Sequence, residues 1–192
     1  MNTKGKFSVK TMCTIGLMAA LTFAATLIQI NIPTMLGNTR LHMGNVLCLL
    51  SGILLGPVYG GLSAGIGSMF FDLTNPLYIS SAPFTFVFKF LMAYVCGKIL
   101  RRHQGAKCEH IGWNFFAATC GALSYVVLYL GRNFLRNLFF LHAEMETTLI
   151  DLATKAPVSL FNAVLAVVVA VPLSIAVRRG LGRAGLLSPN GK

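Results

Sequence analysis

The chain has 192 residues, 55% of them hydrophobic and only 11% charged, with a mean hydropathy of +0.71. Those values exclude an ordinary soluble domain and define a membrane protein. A net charge of +11 would point to nucleic acid in a soluble protein, but here no nucleic-acid partner is expected, and the basic residues report orientation across the bilayer.

A hydrocarbon core of ~30 Å needs about 20 apolar residues per helical crossing. The first such run, 9–30, follows Lys4, Lys6 and Lys10, as a secretory signal would. It is too long for one and has no small-x-small cleavage site ahead of polar sequence, so it reads as a retained span. Along it Gly16, Ala20 and Ala24 form a stripe of small residues, with Ala19 and Ala25 beside it. Such a stripe serves internal packing or the docking of another membrane protein.

Residues 41–71 carry no charge, yet the stretch LLGPVYGGLSAGIGSMFFDL at 54–73 contains one proline and five glycines. Two short spans, 44–56 and 57–71, turning at Gly56-Pro57, account for this. Each has about 13 residues, or roughly 20 Å of helix, short for a crossing unless its neighbours extend it. Gly52, Gly56 and Gly60 recur every fourth residue, as do Gly61 and Gly65. Close backbone packing explains that spacing; so does a substrate-sized cavity or a sliding partner. Three further spans follow at 83–100, 113–132 and 156–178.

The expected fold class is therefore an all-α integral membrane bundle of six helices in one domain, 1–192. The basic residues orient it. With six crossings, Lys4, Lys6, Lys10, Lys98, Arg101, Arg102, Lys107, Arg178, Arg179, Arg183 and Lys192 fall on the cytoplasmic side, as do both termini. Only Arg40, Arg132, Arg136 and Lys155 fall outside, with Lys89 inside a span. Reading 45–71 as one kinked span would put the basic 98–107 loop and the basic tail outside, against the usual bias.

Several chemistries are missing. The acids Asp72, Glu109, Glu144, Glu146 and Asp151 sit at span ends or in loops, so no ion path through a span is evident. There is no G-x-x-x-x-G-K-[ST] loop for a nucleotide and no H-E-x-x-H for a metal. The cysteines at 13, 48, 96, 108 and 120 form no C-x-x-C pair and suggest neither disulfides nor zinc. Gly61-Leu62-Ser63-Ala64-Gly65 matches G-x-S-x-G, but a nucleophile elbow needs a preceding strand and a histidine partner. No enzyme activity and no cofactor are expected.

Polar residues gather instead near the outer ends of the spans, where a solute would arrive. Arg40, His42 and Asn45 lead into the second span, and Asp72, Asn75 and Tyr78 follow the third. Lys89 lies about 9 Å into the fourth, where it either snorkels to the interface or faces a polar cavity. Tyr125 and Tyr129, one turn apart, form an interfacial aromatic belt or a wall for a flat heterocycle. Ser159 and Asn162 open the sixth span, and the loop 32–43 is placed to act as a lid.

The succession LHMGNVLCLLSGILLGPVYGGLSAGIGSMFFDL, then APFTFVFKFLMAYVCGKI, with six spans and the small-residue stripe on the first, resembles the substrate-binding S component of energy-coupling factor (ECF) vitamin transporters. The likeness runs over roughly residues 8–180, and its G-N…G-x-L-x-G-P-x-x-G…D pattern is fairly specific. It is most similar to the branch that includes riboflavin, pyridoxine and hydroxymethylpyrimidine carriers. The resemblance implies a bundle in a bacterial plasma membrane whose pocket opens outward under the first outer loop. It implies that Gly16, Ala20 and Ala24 face a transmembrane coupling subunit (the T component), itself driven by two ATPase subunits, and that the ligand is a water-soluble vitamin or precursor. No substrate-specific motif is matched, and the single tryptophan, Trp113, falls on the inner side. The rival expectation is a small membrane enzyme or a structural membrane subunit, which would retain no small heterocycle on purification.

Overall fold

A computed structural model of the protein describes residues 9–104 and 110–183. Lys4, Lys6, Lys107, Cys108, Glu109 and Lys192 lie outside the described residues. The described chain forms six α-helices and one β-hairpin: α1 (Val9–Leu27), β1 (Gln29–Thr34), β2 (Gly37–His42), α2 (Gly44–Leu55), α3 (Pro57–Thr74), α4 (Ala82–Gln104), α5 (Ile111–Leu135) and α6 (Met145–Arg183). Four segments are long and apolar enough to cross a membrane: Val9–Leu27, Ile79–His103, Ile111–Phe140 and Met145–Arg183. Helix α2, with 12 residues, is a shorter apolar helix, and α3 has 18.

Two expected boundaries moved. The first helix stops at Leu27 because Gln29-Ile30-Asn31-Ile32 alternates polar and apolar residues, a two-residue period that suits a strand. The expected lid loop 32–43 is instead most of an antiparallel hairpin, with Gln29 opposite His42 and Thr34 opposite Gly37. Gly37 at φ +146 ends the Met35-Leu36 turn in a conformation that favours glycine. The last helix starts at Met145 rather than 156, which brings Asp151 and Lys155 onto α6. Both are buried there and joined by an i,i+4 ion pair of 2.7 Å. Asp151 is thus neither a loop residue nor exposed, as the position of the apolar run had suggested.

Glycine packs the centre. A Cβ on Gly52 would stand 2.5 Å from the Ala93 carbonyl oxygen, and one on Gly60 2.5 Å from that of Ser51, so the backbones of α2, α3 and α4 touch. Gly56, at φ +84, makes the turn that Pro57 follows at the start of α3. Ser63, the candidate elbow serine, is fully buried and donates to the Gly60 carbonyl at 3.0 Å, a packing role. The core beneath comprises Leu49, Ile53, Met92, Cys96 and the alanines of α5 and α6.

Successive helices reverse direction, which creates two poles. One carries the 55–57 turn, where Arg101 and Arg178 donate to the carbonyls of Leu55 and Ile53 and so satisfy the free C-terminal end of α2. Both ends of the described chain lie at that pole. The other carries the hairpin, the starts of α2, α4 and α6, and the ends of α1, α3 and α5.

Candidate ligand-binding site

The hairpin lies across its pole, and five elements hold it there. Asn162 on α6 donates from Nδ2 to the Arg40 carbonyl at 2.7 Å and accepts at Oδ1 from the His42 amide at 3.1 Å, as a neighbouring strand would. At the tip, the Leu36 amide donates to Asp151 Oδ1 at 3.1 Å, while Asp151 Oδ2 accepts from Lys155 and Asn137. The Tyr129 hydroxyl bonds Thr39 Oγ1 at 3.2 Å, and the Tyr78 hydroxyl donates to Asn31 Oδ1 at 3.1 Å. At the base, a Cβ on Gly44 would strike Thr26 Oγ1, so hairpin, α1 and α2 meet with no space to spare.

Beneath the hairpin is a cavity of about 140 Å³. Arg40 is the centre of its charge. Its Nη2 pairs with Asp72 Oδ1 at 2.6 Å, and its guanidinium lies 4.1 Å from the Tyr78 ring centroid and 5.3 Å from that of Phe71. The buried Asp72 carboxylate also accepts from the Thr85 hydroxyl, so one acid joins β2, α3 and α4. Arg40 Nη1 is buried with no partner, a donor left over for something that enters the cavity. Tyr125 and Tyr129 stack at 6.0 Å with planes 19° apart, forming one wall.

His42 is buried, and burial, with Lys89 and Arg40 nearby, holds its pKa well below the usual imidazole value. Its Nδ1 accepts from the Gly44 amide at 3.1 Å, as a neutral ring can. Tyr78, in the loop after α3, has its phenol pKa raised by burial.

Of the residues singled out from sequence, Arg40, His42, Asp72, Tyr78, Tyr125, Tyr129, Ser159 and Asn162 line this one cavity. Lys89 and Asn45 sit just off it, bonded to each other, with Lys89 Nζ 3.7 Å from the Tyr125 ring centroid. Lys89 therefore braces the tyrosine wall rather than reaching into the space. Asn75 is not brought in; its Oδ1 accepts from the Leu77 amide in its own turn. Sequence reasoning missed Thr39, Phe84, Thr85, Phe88, Arg132, Asn133 and Arg136, which also line the cavity. The members on α5 and just after it had a signal: 125, 129, 132 and 136 follow the helical period from the two tyrosines. On α1, Gly16, Ala20 and Ala24 are all exposed, and nothing stands within 4 Å of a Cβ on Gly16.

A bundle of apolar helices with a polar, aromatic-walled cavity under a β-hairpin at one pole is a build suited to a membrane subunit that binds a solute. The sequence pattern of the family described as "ECF-type riboflavin transporter, S component" matches residues 6–179, and the chain belongs to that family. No curated protein sequence matches the chain. The family is a vitamin-binding transporter subunit, so the recognised branch and its transport role hold for this protein.

Proposed function

We propose that the protein captures a water-soluble vitamin or precursor with a flat ring, of the riboflavin class, from outside a bacterial plasma membrane. It then delivers the ligand inward when partner subunits tilt or rotate the bundle. The observation that carries this reading is the capped cavity itself, with a stacked tyrosine wall beside the unpartnered Nη1 of Arg40. The ring packs on Tyr125 and Tyr129, and an acceptor atom of the ligand takes the Arg40 donor. The cavity volume of about 140 Å³ is below the roughly 300 Å³ at which pockets for drug-sized ligands begin. The hairpin therefore lifts to admit a ligand of that size.

In this reading all six helices cross the bilayer, with the cavity pole outside and both termini in the cytosol. The preponderance of lysine and arginine at the opposite pole supports that orientation. A T component docks on the exposed Gly16-Ala20-Ala24 face of α1, and two ATPase subunits power the cycle. The chain has no nucleotide loop with which to power it alone.

The test is native mass spectrometry of protein purified without added ligand, followed by fluorescence titration with riboflavin. A retained heterocycle, or riboflavin quenching at one site per chain, is the expected result. The absence of both a retained heterocycle and quenching would overturn the reading. Replacing Ala20 and Ala24 together by leucine is expected to stop cellular uptake while quenching persists, and normal uptake would remove the docking role.

A further inference from the structure

The cavity pole holds more positive charge than its contacts use. Of the cations there, Arg40 is paired with Asp72 and Lys155 with Asp151. Arg132 near the end of α5 and Arg136 just after it line the same cavity about one turn apart, and among the described residues neither has an acidic partner. Arg132 donates from Nη2 to Ser81 Oγ at 3.1 Å and lies 4.6 Å over the Phe84 ring centroid, which aims it across the mouth toward α4. Arg136 Nη1 comes to 3.9 Å from where a Cβ on Gly37 would stand, under the hairpin turn. Its guanidinium makes no hydrogen bond among the described residues. The nearest acids in sequence, Glu144 and Glu146, are exposed and form no ion pair with either arginine.

Two like charges a turn apart repel, and in the orientation proposed above they also run against the bias that keeps arginine on the cytosolic side. Solvation explains one exposed guanidinium. It does not explain two that line a cavity together with a third, Arg40, whose Nη1 is buried and unmatched. An oxyanion entering the mouth removes the repulsion and supplies the missing acceptor, and guanidinium forks suit phosphate and carboxylate oxygens.

We propose that Arg132 and Arg136, with Nη1 of Arg40, form a subsite for an oxyanion substituent of the ligand, such as a phosphate monoester, at the mouth of the cavity. The inference rests on the ligand-binding reading above and deepens it. The ring is held by the tyrosine wall, and the anionic tail lies between α5 and the hairpin turn. Because Arg136 sits beneath Gly37, the bound anion also draws the lid down.

The probes are riboflavin and riboflavin 5′-phosphate, titrated by fluorescence quenching into the purified protein in a neutral detergent. The wild type is expected to bind the phosphate form about tenfold more tightly, since charge-assisted hydrogen bonds to guanidinium are strong and water-exposed only in part. In the double variant Arg132→Gln/Arg136→Gln the ratio of the two dissociation constants is expected to fall to about one. A ratio cancels any general loss of affinity. Equal affinities in the wild type, or a preference that survives in the double variant, would overturn the subsite while leaving the vitamin-binding reading intact. Should neither flavin bind, the ring assignment fails, and inorganic phosphate decides the subsite alone. Millimolar phosphate raising the unfolding midpoint of the wild type but not of the double variant supports it; no difference overturns it. Titration in mixed micelles with phosphatidylglycerol separates a lipid source: loss of the phosphate preference there would assign the arginines to headgroups and sink the proposal.

Discussion

The glycine-packed centre and the cavity pole are made from the same helices, and they are held together in opposite ways. Around Gly52, Gly60 and Ala93 the backbones of α2, α3 and α4 touch directly, and the contact leaves no room for a side chain. At the cavity pole polar side chains join the same helices to one another and to the hairpin: Asp72 to Arg40 of β2 and to Thr85, and Lys89 to Asn45. In lipid there is no hydrophobic drive between helices, so association rests on close packing and on polar bonds. The difference teaches that each means predominates in one region: close packing fixes the centre of the bundle, and buried side-chain bonds frame the cavity.

Substitutions break the comparison from either side. The largest effect is expected from Asp72→Ala, which strands the mostly buried Arg40 guanidinium and frees Thr85. Breaking such a pair costs about 3–5 kcal/mol of stability, so the unfolding midpoint in detergent should fall further than in any variant below; an unchanged midpoint would show that the pair does not shape the cavity. At the packed centre, Gly52→Leu forces α2 away from α4. Overpacking of this kind costs about 1–3 kcal/mol, to be read as a lower unfolding midpoint in detergent and a broadened elution profile. An unchanged midpoint would mean that the close approach is incidental.

Smaller changes sharpen the picture. Asn162→Ala removes the side-chain amide that borders β2, and stopped-flow release of bound ligand should quicken about thirtyfold, from the loss of two hydrogen bonds of about 1 kcal/mol each. Unaltered release would mean that the hairpin is held by its tip alone. The least effect concerns pH. The pKa of His42 lies well below the usual 6.5 in the folded protein, so the neutral ring contributes stability that is present above about 6.5 and lost as pH falls below it, when the unfolded chain takes up a proton first. Unfolding midpoints should therefore decline from pH 7.5 to 5, and His42→Gln should flatten that decline. An identical slope in the variant would acquit His42.

Much of the bundle was legible in the sequence because lipid imposes a length. Apolar runs read at 44–56, 57–71, 83–100 and 113–132 lie within or close to the helices at 44–55, 57–74, 82–104 and 111–135, and the chain turns between α2 and α3 at Gly56-Pro57. Which way the bundle faces was argued from charge, and labelling of the two termini from either side of the membrane tests it. The polar cluster was legible for a related reason: a polar side chain inside an apolar run needs a partner, and eight of the eleven residues chosen on that ground share one cavity. The failures are equally physical. The alternation over 29–32 is four residues long and was absorbed into a longer apolar run. Arg132 and Arg136 had been used only as markers of orientation, although their spacing from Tyr125 and Tyr129 already put them on one face. Asp151 and Lys155 looked like loop charges because each hides the other: four residues apart on a helix they bury as a neutral unit, and no count of isolated charges reveals that. Asn75 was chosen by proximity to Asp72, yet the helix ends between them and the chain turns away.

The amide of Asn162 has a kinetic consequence. The β1–β2 ladder makes residues 29 to 42 a stiff plate, and Asn162 latches one edge of it to α6 at two successive backbone groups. In the proposed cycle the flap would therefore swing as a board on its attachments near Ile28 and Met43 instead of peeling from one end. Entry and exit are then a two-position affair. A captured molecule departs at the frequency with which the board tips, and a neighbouring subunit that leaned on α1 would have a lever, through Thr26 and Gly44, on that frequency.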